Sequence, residues 1–245
     1  MEFSEKHAEF VGLHFGDGSL IKRKDTDRLR FQLRGDAKAD REHYESFIIP
    51  LCNELIGFPL RGRPVPTVHD KKLNSFGVYF EGEKLHGFFN ALKINPGVKE
   101  ELPIPDWIKN NQSFSIAFLR GLFDTDGNIY YKRNNNSKSL LNVVGIVSIT
   151  TTSKALSEDV SVLLSTLEIK HYVEHRKPIH KQKKDYYKIQ VYRPHHRKFM
   201  ALIGTHNPKH LTKFEMGEKF GFCPPRTTLE QRKQILKGEL SPFFL

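Results

Sequence analysis

The chain of 245 residues contains two similar nine-residue segments whose equivalent positions lie 109 residues apart. The first is FVGLHFGDG, residues 10–18, and the second is LRGLFDTDG, residues 119–127. Each has an apolar run with helical spacing, an internal glycine, and a closing Asp-Gly pair that predicts the helix end. A repeat of this kind constrains the fold strongly, because each copy of a duplicated unit keeps its own order of elements.

The similarity continues after both motifs. In each half, two strand-like segments are followed by a helical segment, further alternating segments and a closing helix. This order predicts an α+β fold built from two pseudo-symmetric αββαββα repeats, residues 1–98 and residues 113–245. The prolines and charges of residues 99–112 predict a surface linker. From Pro208 onward the chain is predicted to form helices interrupted at residues 221–228.

The glycines of the motifs predict a contact between two helices. Gly12 and Gly16 lie on one helix face, and Gly121 and Thr125 repeat this pattern. A mid-helix glycine costs about 1 kcal/mol relative to alanine, so a compensating interaction is expected. Small residues let two backbones approach closely, and we predict that the motif helices pack together around a local two-fold axis. The alternative is that each glycine makes room for a bulky core neighbour.

The motif acids predict a metal site. Asp17 and Asp126 lie at helix C-termini, where the helix dipole disfavours negative charge. Packing the helices together would add repulsion between the two carboxylates unless a cation binds. Mg²⁺ prefers carboxylate, carbonyl and water oxygens, and the exposed carbonyls of Gly16 and Thr125 are candidate ligands. Either motif alone also fits an ordinary turn capped by aspartate. The pair together predicts a site for Mg²⁺, with Mn²⁺ or Ca²⁺ as substitutes in binding.

The charge of the chain favours a polyanionic partner. Lys and Arg number 39 against 28 Asp and Glu, which gives a formal net charge of +11. This exceeds what a small domain needs for solubility, and nucleic acid is the commonest polyanion. An anionic membrane surface is the alternative, but the sequence has no basic amphipathic helix and no apolar run of roughly 18 residues. We therefore expect no membrane association.

Two alternating segments are candidates for a DNA-binding surface. Residues 28–34 and 185–193 alternate polar and apolar side chains, so each predicts a strand with one polar face. The first segment contains no acid, and arginine and glutamine can read guanine and adenine in the major groove. A plain solvated sheet face is the alternative. Residues 132–138 and 175–185 are basic segments that suit phosphate contacts or solvated hairpin tips. The predicted DNA-binding residues are Arg28, Arg30, Gln32, Arg34, Lys188, Gln190 and Tyr192.

In both motifs, the chain resembles the LAGLIDADG family. The order of elements extends this resemblance over nearly the whole chain, to the double-motif, single-chain members. The resemblance implies a monomer that places a saddle of two antiparallel sheets over double-stranded DNA, with the motif helices at its centre. It implies that Asp17 and Asp126, at the eighth motif position, bind the metal. Asp124 occupies the variable sixth position and is interpreted as structural, while His14 replaces an apolar motif residue and is expected to pack or cap.

The resemblance also implies basic or polar catalytic residues near the metals. Lys99 and Lys213, each after the closing helix of its half, are the candidates, and Gln32 and Arg34 are further ones. The implied function is site-specific, double-strand cleavage of a long, imperfectly palindromic DNA target. An RNA maturase or a non-cleaving DNA-binding protein on the same scaffold is the alternative, with RNA as the maturase's partner. Retention of both motif acids favours the nuclease.

The remaining cysteines and histidines do not predict a further site. Cys52 and Cys223 are far apart and have no metal-binding spacing, so we expect free thiols in a reducing, intracellular and cytoplasmic compartment. The N-terminus lacks the apolar core of a secretory signal. The histidine pairs 195/196 and 206/210 have no zinc-binding pattern and are assigned to the surface or to packing.

Overall fold

The computed structural model describes residues 2–24, 26–57, 63–64, 74–97, 103–133, 143–178 and 184–243. The first half forms one four-stranded antiparallel sheet in the order β1-β2-β4-β3. A π-helical turn, Tyr44–Ile48, joins α2 to α3 without a break. The elements are α1 Glu5–Asp17, β1 Gly18–Lys22, β2 Leu29–Asp36, α2 Arg41–His43, α3 Ile49–Ile56, β3 Arg63–Pro64, β4 Ser75–Gly82 and α4 Lys84–Ala91.

The second half repeats this topology after a short connecting helix, α5 Asp106–Lys109. Its antiparallel sheet has the matching order β5-β6-β8-β7. The elements are α6 Gln112–Asp126, β5 Gly127–Arg133, β6 Val143–Thr151, α7 Lys154–Thr166, β7 Tyr172–Arg176, β8 Tyr186–Val191 and α8 His195–Leu202. The predicted α+β fold with two αββαββα repeats is therefore confirmed.

The two motif helices, α1 and α6, pack directly against each other. A Cβ atom on Gly12 would overlap the carbonyl oxygen of Phe118, and one on Gly121 would overlap that of Glu9. The two contacts are equivalent under the 109-residue offset, so they describe a local two-fold relationship. Because only glycine permits this backbone approach at both positions, the predicted helix pair is confirmed.

Each sheet has one apolar and one polar face. In β2, Leu29, Phe31 and Leu33 are buried and alternate with half-buried polar residues. Phe31 packs with Phe10 and Phe89 at ring-centroid distances of 5.4 and 5.1 Å. In the second half, buried side chains of α7 and of the strands form the corresponding layer. The helices thus cover the inner faces of the sheets, and the polar faces point away from them.

The connection between the halves contributes to the core. Ile104 and Ile108 are buried, and Trp107 stacks on Phe3 with 4.0 Å between ring centroids. The indole of Trp107 also donates a hydrogen bond to the carbonyl of Leu92 at 3.1 Å. The predicted surface linker is thus only partly a surface segment, because Ile104 and Ile108 are buried in the core and Trp107 packs against the first half.

Two further helices, α9 Pro208–Phe220 and α10 Leu229–Lys237, follow the second repeat. They contact the first half through ion pairs from Lys209 to Asp40 at 2.5 Å and from Lys233 to Glu42 at 2.6 Å. The tail therefore bridges both repeats rather than extending only the second.

Among the described residues, no helix is both long enough and apolar enough to cross a membrane. Cys52 and Cys223 are free thiols, as predicted. Cys52 is buried, and this burial raises the pKa of its thiol.

Candidate metal centre and nucleic-acid interface

Asp17 and Asp126 emerge from the same end of the helix pair. They are the last residues of α1 and α6, and these helices run in parallel, since residues near Gly12 contact Phe118 while Gly16 contacts Thr125. The carboxyl carbon of Asp126 lies 3.4 Å from the position that a Cβ on Gly16 would occupy. The acid of one motif therefore lies against the residue that precedes the acid of the other.

The helices end at these acids because the chain passes directly into a strand. Gly18 and Gly127 both have extended backbones, with ψ angles of 157° and 162°. Their N–H groups donate to the carbonyls of His14 and Phe123 and so close the last helical turns. The carbonyls of Gly16 and Thr125 belong to these final helical turns.

Tyr44 approaches Asp17 from the first half. Its phenol donates a hydrogen bond to Oδ2 of Asp17 at 3.4 Å. Tyr44 is 1% exposed, and burial, followed by the charge of Asp17, raises the pKa of its phenol well above the usual value. The phenol therefore remains protonated and acts as a hydrogen-bond donor to the carboxylate at neutral pH.

Lys213 of α9 lies near the end of the second motif. Its ammonium group donates to Oδ1 of Asn128 at 2.8 Å, two residues after Asp126. Burial, then the charges of Arg232 and Lys209, lower the pKa of Lys213 to about 8. A basic group is thus present on the side of Asp126, where the sequence predicted one. The other predicted basic residue, Lys99, lies outside the described residues.

The donor groups at this end fit a hard divalent cation. Asp17 and Asp126 are both half-buried, and with the carbonyls of Gly16 and Thr125 they form a donor set made only of oxygen. Mg²⁺, Mn²⁺ and Ca²⁺ all bind such sets. The hydroxyl of Thr125 is directed elsewhere, since it donates to the carbonyls of Gly121 and Leu122. The Thr125 carbonyl, and not the hydroxyl, is therefore the relevant group.

Asp124 points away from this site into a buried contact. One of its carboxylate oxygens accepts from the hydroxyl of Thr205, and the backbone N–H of His206 donates to the other at 3.1 Å. Burial raises the pKa of Asp124 to about 7, against the opposing effect of the Thr205 hydrogen bond. The contact fixes the tail of α6 to the segment before α9, which agrees with the structural role expected from the sequence.

His14 lies in the core of the first half. It is fully buried, with its ring 5.8 Å from that of Phe31 and 6.0 Å from that of Phe89. Its counterpart Phe123 packs on Phe199 at 5.0 Å in the same way. His14 therefore packs among aromatic rings, as its apolar counterpart does.

The polar face of the first sheet contains an acid that the segment 28–34 lacks. Glu81 of β4 lies 3.3 Å from Arg30 and 3.0 Å from Arg23, and it accepts a hydrogen bond from Tyr79. Gln32 and Arg34 lie on this face too, whereas Arg28 precedes β2 and is exposed. The expected row of arginines is thus present, but it is partly neutralised by an acid from the neighbouring strand.

The polar face of the second sheet is rich in tyrosine. Lys188 lies over the ring of Tyr130 at 4.5 Å and donates to its hydroxyl at 3.0 Å. Gln190 is 6% exposed and accepts hydrogen bonds from Tyr130 and Tyr192. Tyr192, just after β8, is 40% exposed. Of the residues predicted on this strand, Lys188 and Tyr192 therefore remain accessible, and Gln190 instead supports the side chains around it.

Sequence reasoning missed a cluster beside the helix pair. His206, assigned above to the surface or to packing, contacts Glu9 with 2.7 Å between Nδ1 and Oε1. His43 lies 3.6 Å from Asp124, but burial lowers its pKa to about 4, so the neutral ring forms no ion pair there at pH 7. The residues come from four separate segments, and no local spacing links them. Of the predicted basic segments 132–138 and 175–185, residues 134–138 and 179–183 lie outside the described residues.

Part of the chain is similar to a known protein family. The family model described as a LAGLIDADG-like domain matches residues 113–204, which begin within α6 and end after α8. No curated protein sequence gives a significant match. The matched region contains the second motif and the second sheet.

Similar solved structures include two homing endonucleases. A structure of mesophilic variants of I-DmoI has a TM-score of 0.54 and 19% sequence identity, and the alignment covers 82% of this chain and 95% of that chain. The meganuclease I-SmaMI, bound to uncleavable DNA, has a TM-score of 0.55 and 14% identity, with 96% and 98% of the two chains covered. Other similar structures hold I-DmoI with DNA and Mn, or with DNA and Ca. At these identities the similarity establishes a shared fold.

Proposed function

We propose that this chain, which contains a LAGLIDADG-like domain within a double-motif fold, is a site-specific DNA endonuclease that depends on a divalent metal ion. The observation that carries the proposal is the position of Asp17 and Asp126 at one end of the parallel helix pair. A fold alone does not determine function. Here the two carboxylates can hold the divalent metal ion that metal-dependent phosphodiester hydrolysis requires.

In this proposal, Asp17 and Asp126 hold the metal, with the carbonyls of Gly16 and Thr125 as further ligands. We propose Mg²⁺ as the natural ion. A divalent ion bound there supplies Lewis-acid stabilisation of a phosphate and activation of water. The Tyr44 phenol orients the Asp17 carboxylate through its hydrogen bond, and so restricts the direction in which that carboxylate can bind.

The basic residues near the helix ends are proposed to contact the scissile phosphates. Lys213 has a pKa of about 8 and is therefore mostly protonated at pH 7, when its charge can stabilise the negative charge that develops on a phosphate. We propose the equivalent role in the first half for Lys99, on its sequence position alone. Neither residue is needed to hold the metal, so their removal should weaken cleavage without abolishing metal binding.

The polar faces of the two sheets are proposed to bind double-stranded DNA as one monomer. The first face presents arginines and Gln32, which suit the base edges of the major groove, and Arg28 lies at its border. The second presents Lys188, Tyr192 and a supporting Gln190. Because the two faces differ in chemistry, the target is proposed to be only imperfectly palindromic.

The two free thiols also suit a reducing, intracellular location, which we propose for this protein.

The test is cleavage of a randomised DNA library by the purified full chain in Mg²⁺. Asp17→Asn and Asp126→Asn should each lower cleavage by about 10²–10³-fold while DNA binding persists, because each removes one charged metal ligand. Asp106→Asn is a matched control, since Asp106 is an exposed acid on α5 with 85% of its side chain accessible. Full double-strand cutting by the Asp17→Asn/Asp126→Asn double variant would refute the assignment.

The same experiment separates the nuclease from the alternative. A non-cleaving DNA-binding protein or an RNA maturase on this scaffold would give no Mg²⁺-dependent products with any variant. In that case, binding of the wild-type chain to DNA and to RNA should be compared next, and a preference for structured RNA would favour the maturase.

A further inference from the structure

Four side chains from four separate segments converge on one flank of the helix pair. They are Glu9 of α1, His43 at the end of α2, Asp124 of α6 and His206 before α9. One potential ligand atom from each of Glu9, Asp124 and His206 lies within 4.8 Å of the other two. Donor atoms around one tetrahedral Zn²⁺ ion lie roughly 3.3 Å apart, so small side-chain movements would bring these three atoms to one ion.

The two carboxylates of this cluster are buried. Glu9 is 5% exposed and Asp124 is 1% exposed. Arg120 lies 3.9 Å from Glu9 and offsets one negative charge of the pair. Two buried carboxylates that face each other repel unless they are paired or bound to a cation, so the field of this cluster favours a bound cation.

His43 provides an independent observation. Its side chain is 1% exposed, and within the part of the chain that the structure describes neither of its ring nitrogens makes a hydrogen bond. The Nε2 atom faces Oδ2 of Asp124 at 3.6 Å. A buried imidazole without a partner normally costs stability, and a nitrogen that faces a carboxylate oxygen is positioned to share a metal ion with it.

The orientation of both imidazoles is fixed by stacking. Phe47 stacks on both rings, with centroid distances of 5.6 Å to His43 and 4.0 Å to His206 and interplanar angles of 11° and 28°. Such stacking restricts ring rotation before any ligand arrives, which reduces the entropy lost on binding.

The local symmetry shows that the fold does not require acids here. Under the 109-residue offset, Glu9 corresponds to Phe118 and Asp124 corresponds to Phe15. These two aromatic rings pack edge to face on each other at 5.5 Å. An apolar pair therefore satisfies the equivalent position, and the acidic pair on the other flank calls for a separate explanation.

We propose that Glu9, Asp124 and His206, with His43 as fourth ligand, form a binding site for a first-row transition-metal ion such as Zn²⁺. Two imidazole nitrogens and two carboxylate oxygens suit Zn²⁺ or Co²⁺ better than Mg²⁺, which prefers oxygen alone. Oδ2 of Asp124 is the ligating atom, while Oδ1 keeps its hydrogen bond from Thr205. His206 binds through Nδ1, as the tautomer protonated at Nε2.

An ion at this site would tie together α1, α6, the helix that contains His43 and the segment that leads into α9. This segment positions Lys209 and Lys213, and Asp124 lies two residues before Asp126. The site is therefore structural, and it is independent of whether the chain cleaves DNA.

The test is a Co²⁺ titration of the purified, metal-free full chain, followed by visible absorption. Four-coordinate Co²⁺ with nitrogen ligands absorbs much more strongly than Co²⁺ bound by oxygen alone in six-coordinate geometry. We expect strong bands from the wild type that Zn²⁺ displaces and Mg²⁺ does not. Glu9→Gln and His206→Ala should weaken Co²⁺ affinity by at least about tenfold. The Asp17→Asn/Asp126→Asn double variant should keep the bands.

Zn²⁺ should also raise the thermal unfolding midpoint of the wild type and of the Asp17→Asn/Asp126→Asn variant, but not that of His206→Ala. His206 is half-exposed, so this variant is expected to fold, and circular dichroism checks that it does. Absence of strong Co²⁺ bands in the wild type would overturn the proposal. So would bands that survive both Glu9→Gln and His206→Ala, or that disappear only in the Asp17→Asn/Asp126→Asn variant.

Discussion

The two flanks of the α1–α6 contact differ in chemistry although the backbone around them is nearly symmetric. On one flank Phe15 and Phe118 form an aromatic pair, and on the other Glu9 and Asp124 form an acidic pair. The helix backbones meet through equivalent glycines on both sides. Where equivalent residues of the two halves are alike, both halves need the same feature, such as the glycine contact between the helices or the acid at the helix end. Positions that differ indicate functions confined to one side.

The polar sheet faces show the same principle. The first half uses guanidinium groups around Glu81, and the second uses tyrosines around Lys188 and Gln190. The strand order and the buried face are shared, so the difference is restricted to the surface proposed for DNA. A duplicated scaffold can thus keep one packing solution while its two binding surfaces diverge.

The largest expected effect is a difference in the free energy of unfolding between a variant of the aromatic flank and a variant of the acidic flank. Phe118→Ala should destabilise the protein by about 3–5 kcal/mol, because it removes a fully buried aromatic side chain. In EDTA, Glu9→Gln should change stability by less than about 1 kcal/mol, since the amide oxygen still accepts from His206 and repulsion with Asp124 is relieved. Chemical denaturation measures both values. Equal losses would show that the acidic flank contributes as much packing energy as the aromatic one.

The shared feature of the two halves is tested by the motif glycines. Gly12→Ala and Gly121→Ala should each destabilise the fold by about 1–3 kcal/mol or more, because the added methyl group meets the backbone of the partner helix. Gly87→Ala in α4 is the control: among the described residues, no atom beyond its chain neighbours and the backbone of its own helix lies within 4 Å of its Cβ position, so it should stabilise by about 1 kcal/mol. Clearly unequal losses for the two motif glycines would contradict the symmetry of the helix contact.

The divergence of the sheet faces predicts separate effects on the two half-sites. Arg30→Ala should relax base preference in one half-site, and Lys188→Ala should do so in the other, each by about 1–3 kcal/mol at the affected positions. Binding selection from a randomised library gives the preferences. Lys154→Ala serves as control, because α7 packs on the inner face of the second sheet. If both variants changed the same half-site, the assignment of one face to each half-site would fail.

The smallest effect concerns Lys213, whose pKa is about 8. Its charged form contributes to DNA binding below pH 8, and this contribution is lost as the pH rises through that value. Wild-type affinity should therefore fall modestly between pH 7 and pH 9, while Lys213→Met should lack this step. The slope of log affinity against log salt should decrease in magnitude by about 1 in the variant. An unchanged pH profile in Lys213→Met would exclude a phosphate contact by this residue.

The repeat made most of the fold predictable from the sequence. A constant offset, two glycine positions and alternating strands were sufficient to predict the topology, the helix contact and the convergence of Asp17 and Asp126. Each of these follows from local periodicity combined with one symmetry assumption. Lys213 was a candidate only through the family resemblance, and the helix that positions it had no functional interpretation.

Other parts of the site depend on long-range contacts and were not predictable. Glu81 neutralises part of the first face from a strand about fifty residues away, and no spacing rule connects it with Arg30. His206 meets Glu9 across 197 residues of sequence, so no local spacing links the two. The apolar side chains of residues 104–108 were overlooked because the prolines and charges beside them are typical of loops.

The bridge formed by the C-terminal helices has a consequence for protein engineering. Because Lys209 and Lys233 pair with Asp40 and Glu42, the final helices hold the first repeat as well as the second. If the polypeptide were divided within the connection at residues 99–112, the two fragments would still be joined by these two ion pairs and by the glycine contact between α1 and α6. Reassembly from separately produced fragments should consequently tolerate a cut at that connection far better than deletion of the last two helices.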